Sequence, residues 1–204
     1  MKKIKNIIFD LGGIFIEIDF KKTEDAFVSL GVTNLNDFYT QHTASTLFED
    51  LETGKLSPKE FYEGFRAETG ARLSDDEIKH AWNAMLGTFP VERLNWLEEI
   101  GFRYKIFLYS NTNVIHYERF QQIYQECTGK QNFDDYFIKA HYSHDLGVRK
   151  PYPASFEKLL AIENLVAEET LFIDDSYKNI EGAGEVGLQT ILLLPPKTVC
   201  DLEL

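Results

Sequence analysis

Residues 4–13 read IKNIIFDLGG, an apolar stretch that ends in Asp10 and is followed by two glycines. The apolar residues are nearly continuous rather than alternating, which is typical of a strand buried on both faces of a parallel sheet. A carboxylate at the end of such a strand is unusual, because charged side chains are rarely buried. The motifs that follow the other strands indicate why Asp10 stands there.

Similar apolar runs, rich in β-branched and aromatic residues, recur along the chain and alternate with helical patterns. With residues Ile4–Phe9 as the first strand, we predict further strands at Lys105–Tyr109, Thr170–Ile173, Thr190–Leu194 and near Tyr136–Tyr142. We predict helices at Val91–Ile100, Pro153–Ile162 and Ile180–Val186. This alternation predicts an α/β fold with a doubly wound, Rossmann-like parallel sheet.

Residues 21–87 differ in character, since they contain no convincing strand and several helix starts. Ser57-Pro58-Lys59-Glu60 combines a capping serine, a proline at the first helical position and a glutamate three residues after the cap. Ser74-Asp75-Asp76-Glu77 repeats that capping box. We therefore predict a small helical bundle inserted into an α/β core made of residues 1–20 and 88–204.

The composition is that of a soluble globular protein, with 204 residues of which 44% are hydrophobic and 26% charged. The net charge of −12 disfavours nucleic acid and anionic membranes as partners. The two cysteines, Cys127 and Cys200, show neither disulfide nor zinc spacing, and no segment is long and apolar enough to span a membrane. We expect a cytoplasmic protein, and the sequence gives no indication of its oligomeric state.

Polar residues follow the predicted strands at the edge where open α/β sheets bind ligands. The first strand ends at Asp10, the second is followed by Ser110 and Asn111, and the strand at Thr170–Ile173 is followed by Asp174-Asp175. A loop ahead of that last strand carries Lys150. Carboxylates suit Mg²⁺ and lysine suits phosphate oxygens, so this set predicts Mg²⁺-assisted phosphoryl transfer to an aspartate.

Four motifs in this order are similar to those of a known family. FDLGG (9–13), YSNTN (109–113), GVRKP (147–151) and FIDDSYKNIEGA (172–183) resemble the haloacid dehalogenase-like (HAD) hydrolase superfamily over nearly the whole chain. The insertion stands where that family carries a helical cap. Finer matches resemble the subgroup of sugar-phosphate phosphatases that includes an α-glucose-1-phosphate phosphatase.

The resemblance implies roles for the residues that follow the strands. Asp10 would be the nucleophile that forms an aspartyl-phosphate, and Lys150 would neutralise charge between the phosphate and the nucleophile. Ser110 and the backbone amide of Asn111 would bind phosphate oxygens. The substrate would be a small phosphorylated metabolite.

The resemblance also implies a Mg²⁺ site. Asp10, the carbonyl of Gly12 and Asp175 would be ligands, and Asp174 would be either a ligand or the group that orients a bound water. Most phosphatases of this superfamily place a second aspartate, the general acid and base, at the position held here by Gly12. Its absence removes a contribution that is typically worth ~10²–10⁴-fold in rate.

Several alternatives stay open at this level. Glu17 and Asp19 would share one face of an extended segment, as a solvated face or as substitutes for the missing acid. Arg149 is interpreted as a surface or structural charge, and Trp82, Phe61 and Phe65 as the core of the bundle. A 2-haloacid dehalogenase, which works without metal, and a non-catalytic binding protein are the competing functions.

Overall fold

The computed structural model describes residues 3–40 and 43–204, and a five-stranded parallel sheet lies at its centre. The sheet strands are β1 (Asn6–Phe9), β4 (Lys105–Ser110), β5 (Lys139–Tyr142), β6 (Thr170–Asp174) and β7 (Gln189–Leu192). Their order is β5-β4-β1-β6-β7, so β1 lies between β4 and β6. The carboxyl ends of the three central strands therefore meet at one edge.

Helices cover both faces of this sheet, as the doubly wound prediction requires. The helices are α1 (Phe20–Ser29), α2 (Thr46–Glu52), α3 (Pro58–Thr69), α4 (Asp75–Asn83), α5 (Val91–Gly101), α6 (Val114–Thr128), α7 (Ser143–Leu146), α8 (Pro153–Glu163) and α9 (Tyr177–Glu185). Ile7 belongs to the apolar cluster that includes α5 and α6, while Ile8 belongs to the cluster that includes α8 and α9. Successive side chains of β1 thus point to opposite, equally apolar layers.

Each predicted strand is present at its predicted place in the chain, but the residues at which the strands begin or end differ from the prediction. β1 begins at Asn6 rather than Ile4, while β4 and β6 extend by one residue to include Ser110 and Asp174. β5 begins at Lys139 rather than Tyr136, because Phe133–Tyr136 forms a 3₁₀ turn. That turn is fixed by the side chain of Asn132, which caps it, a contact that hydrophobic periodicity does not report.

The expectation that residues 21–87 contain no strand is wrong in one place. β2 (Tyr39–Thr40) pairs with β3 (Thr43–Ala44) in a short antiparallel hairpin. A two-residue strand is too short to produce a recognisable period, so its pairing is set by tertiary contacts rather than by local pattern. Both predicted capping boxes are present, at the starts of α3 and α4.

Helices α1–α4 bury an aromatic cluster separate from the two clusters of the sheet. Phe61, Phe65 and Trp82 are each at most 1% exposed and pack with Phe27 and Phe48, which confirms their interpretation as core. The division into a cap of residues 21–87 and a core of residues 1–20 and 88–204 stays a prediction. We use the word cap below for the segment that contains α1–α4.

The segments that enter and leave the cap run side by side. Glu17 N–H donates to Thr88 O at 3.0 Å and Asp19 N–H donates to Met85 O at 2.9 Å, with an antiparallel bridge between Ile18 and Leu86. The cap is therefore joined to the sheet through two hydrogen-bonded linkers. Across residues 3–40 and 43–204, no helix combines the length and the apolar character that crossing a bilayer demands.

Replacing Phe61 by alanine should destabilise the protein strongly, because the ring is fully buried among other aromatic side chains. We expect a loss of about 3–5 kcal/mol in the free energy of unfolding, measured by denaturant titration. Phe102→Ala is the matched control, since that ring is 86% exposed and its loss should cost no more than about 0.5 kcal/mol. Equal losses for the two variants would contradict a packed cap core.

Candidate active site

The carboxyl edge of the sheet opens into a cavity of about 200 Å³ between the core and the cap. The structure brings the following predicted site residues to its lining: Asp10, Gly12, Ser110, Asn111, Lys150 and Asp175. Asp174 is fully buried directly behind this lining. Residues far apart in the sequence thus meet at one place, as expected for the ends of neighbouring parallel strands.

Lys150 is the centre of this arrangement. Its Nζ lies 2.7 Å from Asp10 Oδ1 and 2.7 Å from Asp174 Oδ2, and its side chain is only 1% exposed. Burial alone would lower the pKa of Lys150, but the two carboxylates outweigh that effect and hold the pKa above its ordinary value. Lys150 is therefore a permanent positive charge beside the carboxylate of Asp10.

Asp174 is held by hydrogen bonds as well as by Lys150. Its Oδ1 accepts from Ser176 N at 2.7 Å, and the side-chain amide of Asn179 donates to both carboxylate oxygens at 3.0–3.1 Å. Asn179 also lines the cavity. Sequence reasoning missed this role of Asn179, although its position in the first turn of α9, five residues after Asp174, places it near that carboxylate.

The Asn111 side chain fixes the backbone of Lys150. Its Oδ1 accepts from Lys150 N at 2.9 Å, and its Nδ2 donates to Lys150 O at 2.9 Å. The sequence prediction for Asn111 concerned its backbone amide, so this contact was not expected. A short side chain that follows a strand end and carries both a donor and an acceptor is well suited to such a clamp.

The three carboxylates have the chemistry of a divalent cation site. One oxygen from each of Asp10, Asp174 and Asp175 can be chosen so that all lie within 4.8 Å of one another. Lys150 contacts two of them, and burial raises the pKa of Asp10 to about 7 and that of Asp175 to about 6. Oxygen donors with excess negative charge are what Mg²⁺ prefers.

The turn after Asp10 needs glycine at its third position, Gly13. Gly13 has φ +72°, and a Cβ there would overlap the carboxylate of Asp175. Arg93 holds the turn from outside by donating to Gly13 O at 3.1 Å and Ile14 O at 3.2 Å. The backbone thus passes close to Asp175, which a larger residue would displace.

Gly12 has more room than Gly13. A Cβ at this position would lie 3.3 Å from Ile18 Cγ1 and 3.8 Å from Asp10 Oδ2, with no left-handed backbone to strain. A side chain here would therefore fit if Ile18 moved by a few tenths of an ångström. An acid at Gly12 would stand next to the nucleophile candidate.

Neither Glu17 nor Asp19 replaces that acid. Glu17 Oε2 accepts from Thr88 Oγ1 at 3.0 Å, and Asp19 Oδ1 accepts from Lys21 N at 3.0 Å as the cap of α1. Both side chains are exposed and neither lines the cavity. The interpretation of these two acids as a solvated face is confirmed.

His116 lines the cavity, but both of its ring nitrogens contact other groups of the protein. Its Nε2 lies 3.1 Å from Trp82 O, which can only accept, so this nitrogen carries the proton. Its Nδ1 faces the side-chain amide of Asn113 at 3.3 Å. Burial lowers the pKa of His116 to about 4, so the imidazole is neutral near pH 7 and links α6 to the end of α4.

Arg149 is not a surface charge, which corrects that part of its interpretation. Its Nη1 lies 2.7 Å from Glu49 Oε1 and its Nε lies 2.9 Å from Glu52 Oε2, so two cap carboxylates bind one core guanidinium. Burial raises the pKa of Glu52 and Arg149 opposes that rise. Arg149 and Glu52 both line the cavity, where sequence reasoning placed neither.

Comparison with known proteins identifies the family. Residues 4–187 match the haloacid dehalogenase-like hydrolase family. A D-ribitol-5-phosphate phosphatase from Bacteroides thetaiotaomicron is 33% identical over 92% of this chain and 90% of its own length. A sesquiterpene phosphatase from Aspergillus oryzae is 27% identical over 96% of this chain and 93% of its own length.

A solved structure agrees with this relationship. A HAD family enzyme from Bacteroides thetaiotaomicron, in complex with magnesium and inorganic phosphate, superposes with a TM-score of 0.90. The two chains are 31% identical, and the alignment covers 96% of each. Sheet order, site geometry and sequence similarity over nearly the full length agree: the chain belongs to the haloacid dehalogenase-like hydrolase family.

Proposed function

We propose that this protein is a Mg²⁺-dependent phosphatase of a small phosphorylated metabolite, of the sugar- or polyol-phosphate class. The observation that carries the proposal is the contact of Lys150 with both Asp10 and Asp174 beside a third carboxylate, Asp175. The names of two relatives, a ribitol-5-phosphate phosphatase and a sesquiterpene phosphatase, support the reaction type. The finer likeness to α-glucose-1-phosphate phosphatases stays a prediction.

In the proposed reaction a carboxylate oxygen of Asp10 forms a bond to phosphorus while the ester oxygen leaves. Lys150 neutralises charge between Asp10 and the phosphoryl group, and Ser110 with the Asn111 amide binds phosphoryl oxygens. Water then cleaves the aspartyl-phosphate, which releases inorganic phosphate and regenerates the carboxylate. The Asn111 side chain and Asp174 keep Lys150 in place during both steps.

Asp10, the Gly12 carbonyl and Asp175 would hold the cation. Asp174 faces Lys150, Ser176 and Asn179, so its main part would be to orient the lysine, with any metal contact secondary. Bound Mg²⁺ would neutralise phosphate charge and polarise the phosphoryl oxygens. The donor set fits this ion because it consists of oxygens that carry excess negative charge.

The leaving group receives no proton from position 12. Glu17 and Asp19 face solvent, and the Nε2 proton of His116 is bonded to Trp82 O. We therefore propose that the protein favours esters whose leaving group needs little protonation, such as anomeric, acyl or aryl phosphates. Glucose-1-phosphate should then outpace glucose-6-phosphate, because an anomeric hydroxyl is more acidic than a primary alcohol.

The competing functions are less well supported. A 2-haloacid dehalogenase would bring a carboxylate substrate to a site that already holds three carboxylates, two of them in contact with Lys150. A non-catalytic protein would have no need to bury Lys150 against Asp10. We further propose a cytoplasmic location and no nucleic acid partner, in keeping with the net charge of −12 and two unpaired cysteines.

The test of the proposed function is a screen of phosphate monoesters with Mg²⁺ and with EDTA. Asp10→Asn should abolish turnover while leaving the fold intact, because the amide keeps the shape of the carboxylate but is not a nucleophile. Asp135→Asn, at an exposed position, is the control and should retain full activity. Undiminished turnover in EDTA or in the Asp10 variant would rule the mechanism out.

Gly13→Ala should weaken Mg²⁺ binding by about tenfold or more, because its Cβ would displace Asp175. Gly129→Ala is the matched control, since Gly129 has a similar φ of +70° but nothing within 4 Å of a new Cβ. Both variants place a side chain on a backbone with positive φ, so both are strained. Only Gly13→Ala should lose the Mg²⁺-induced shift in melting temperature. Equal Mg²⁺ shifts would show that Asp175 is not a ligand.

Gly12→Asp should restore protonation of poor leaving groups, and Ile18→Val added to it should remove the Cδ1 atom, 3.9 Å from the new Cβ, and so give Cγ1 room to move away. We expect kcat/KM for an alkyl phosphate to rise relative to that for 4-nitrophenyl phosphate, within a ceiling of ~10²–10⁴-fold. Ile18→Val alone is the control. If the unmodified protein already hydrolyses both esters at similar rates, another group donates the proton.

A further inference from the structure

The cap side of the cavity carries one buried ion pair. Glu52, at the end of α2, is 6% exposed and lines the cavity, with its Oε2 2.9 Å from Arg149 Nε. Burial raises the pKa of Glu52, and the permanently charged Arg149 opposes that rise by favouring the ionised carboxylate. A carboxylate paired with a guanidinium therefore stands in the wall that a leaving group would face.

This cluster has one negative charge in excess. Arg149 also binds Glu49, whose Oε1 lies 2.7 Å from Nη1, so two carboxylates share one guanidinium. Glu49 is outside the cavity lining, whereas Glu52 belongs to it. At the opposite end, Lys150 is occupied by Asp10 and Asp174. Arg149 and Lys150 are thus already paired, and Lys178, the third basic side chain of the lining, is not without a partner either.

The remaining cap-side lining is mainly apolar. It includes Phe20, Tyr39, Met85 and Leu86, with the Tyr39 and Phe20 rings 6.3 Å apart between centroids. Such surfaces pack against the carbon skeleton of a small molecule and offer nothing to a second charge. Glu52, with its partner Arg149, is therefore the charged group on the cap side of the lining that can contact the leaving group.

We propose that Glu52 is a specificity-determining residue that rejects leaving groups with a second anionic group. On the proposed phosphatase function, the substrate is then a monophosphate ester of an uncharged, hydroxyl-bearing molecule. A second anion would face the carboxylate of Glu52 at close range, which is strongly unfavourable away from water. At Arg149 it would add a third anionic group to a guanidinium that Glu49 and Glu52 already share.

A hydroxyl group on the leaving group would be bound by this wall, whereas a second anionic group would be rejected. It can donate a hydrogen bond to Glu52 and leave the contact with Arg149 intact. A purely apolar leaving group would satisfy neither residue, and it would bury their remaining hydrogen-bonding capacity at a cost. Neutral polyol and sugar chains are thus the leaving groups that fit both parts of the wall.

The test uses two substrates of equal length, erythritol 4-phosphate and 4-phosphoerythronate, which differ in a terminal hydroxymethyl or carboxylate group. For the unmodified protein we expect kcat/KM to favour the neutral ester by about tenfold or more. Glu52→Gln keeps the size and hydrogen-bonding ability but removes the charge, so it should raise kcat/KM for the acidic ester and reduce the ratio toward one. Glu63→Gln, at an exposed position of α3 outside the cavity lining, is the matched control and should leave the ratio unchanged.

Each outcome has a distinct meaning. Equal use of the two esters by the unmodified protein overturns the inference, and this measurement does not depend on whether any variant folds. A loss of activity in Glu52→Gln that is the same for both esters also overturns it, because Glu52 would then only hold the cap in place. Failure to hydrolyse either ester or 4-nitrophenyl phosphate with Mg²⁺ instead overturns the proposed function itself.

Discussion

The contact of a buried ammonium group with two carboxylates governs the rest of the site. Lys150 can remain charged at 1% exposure because Asp10 and Asp174 compensate it. Both carboxylates need that lysine in turn, since burial already raises the pKa of Asp10. The carboxyl ends of β1 and β6 and the loop that carries Lys150 must therefore come together for any one of them to be stable. Asn111 and Asn179 complete the arrangement by fixing the lysine backbone and Asp174.

The strands and the predicted site residues could be read from the sequence because both depend on local pattern and chain order. Continuous apolar runs mark buried parallel strands, and polar residues at their carboxyl ends mark the ligand edge. The roles of Asn111, Asn179 and Arg149 could not be read in the same way. Their partners are side chains or backbone atoms brought close by tertiary folding, as in Arg149 with Glu49, 100 residues apart. The predicted ends of the strands were wrong for a similar reason. The start of β5, for example, follows a turn that is fixed by a side-chain cap and not by hydrophobic periodicity.

The cavity is lined by two parts of the chain with different chemistry. The sheet edge supplies the carboxylates and the lysine that suit the phosphoryl group, while the cap supplies aromatic and aliphatic side chains with the carboxylate of Glu52. Arg149 joins the two, because it precedes Lys150 in the chain and binds the cap through Glu49 and Glu52. The position of the cap and the chemistry of the reacting end are thus linked through two adjacent residues.

The paired linkers at Glu17–Asp19 and Met85–Thr88 have a topological consequence. Because the chain leaves the sheet and returns to it at neighbouring points, the intervening segment closes a loop whose ends already meet. The entropic cost of such a loop rises only slowly with its length. The segment can therefore be lengthened, shortened or exchanged as a cassette without altering the register of β1. A sheet edge of constant chemistry could in this way serve many different substrates.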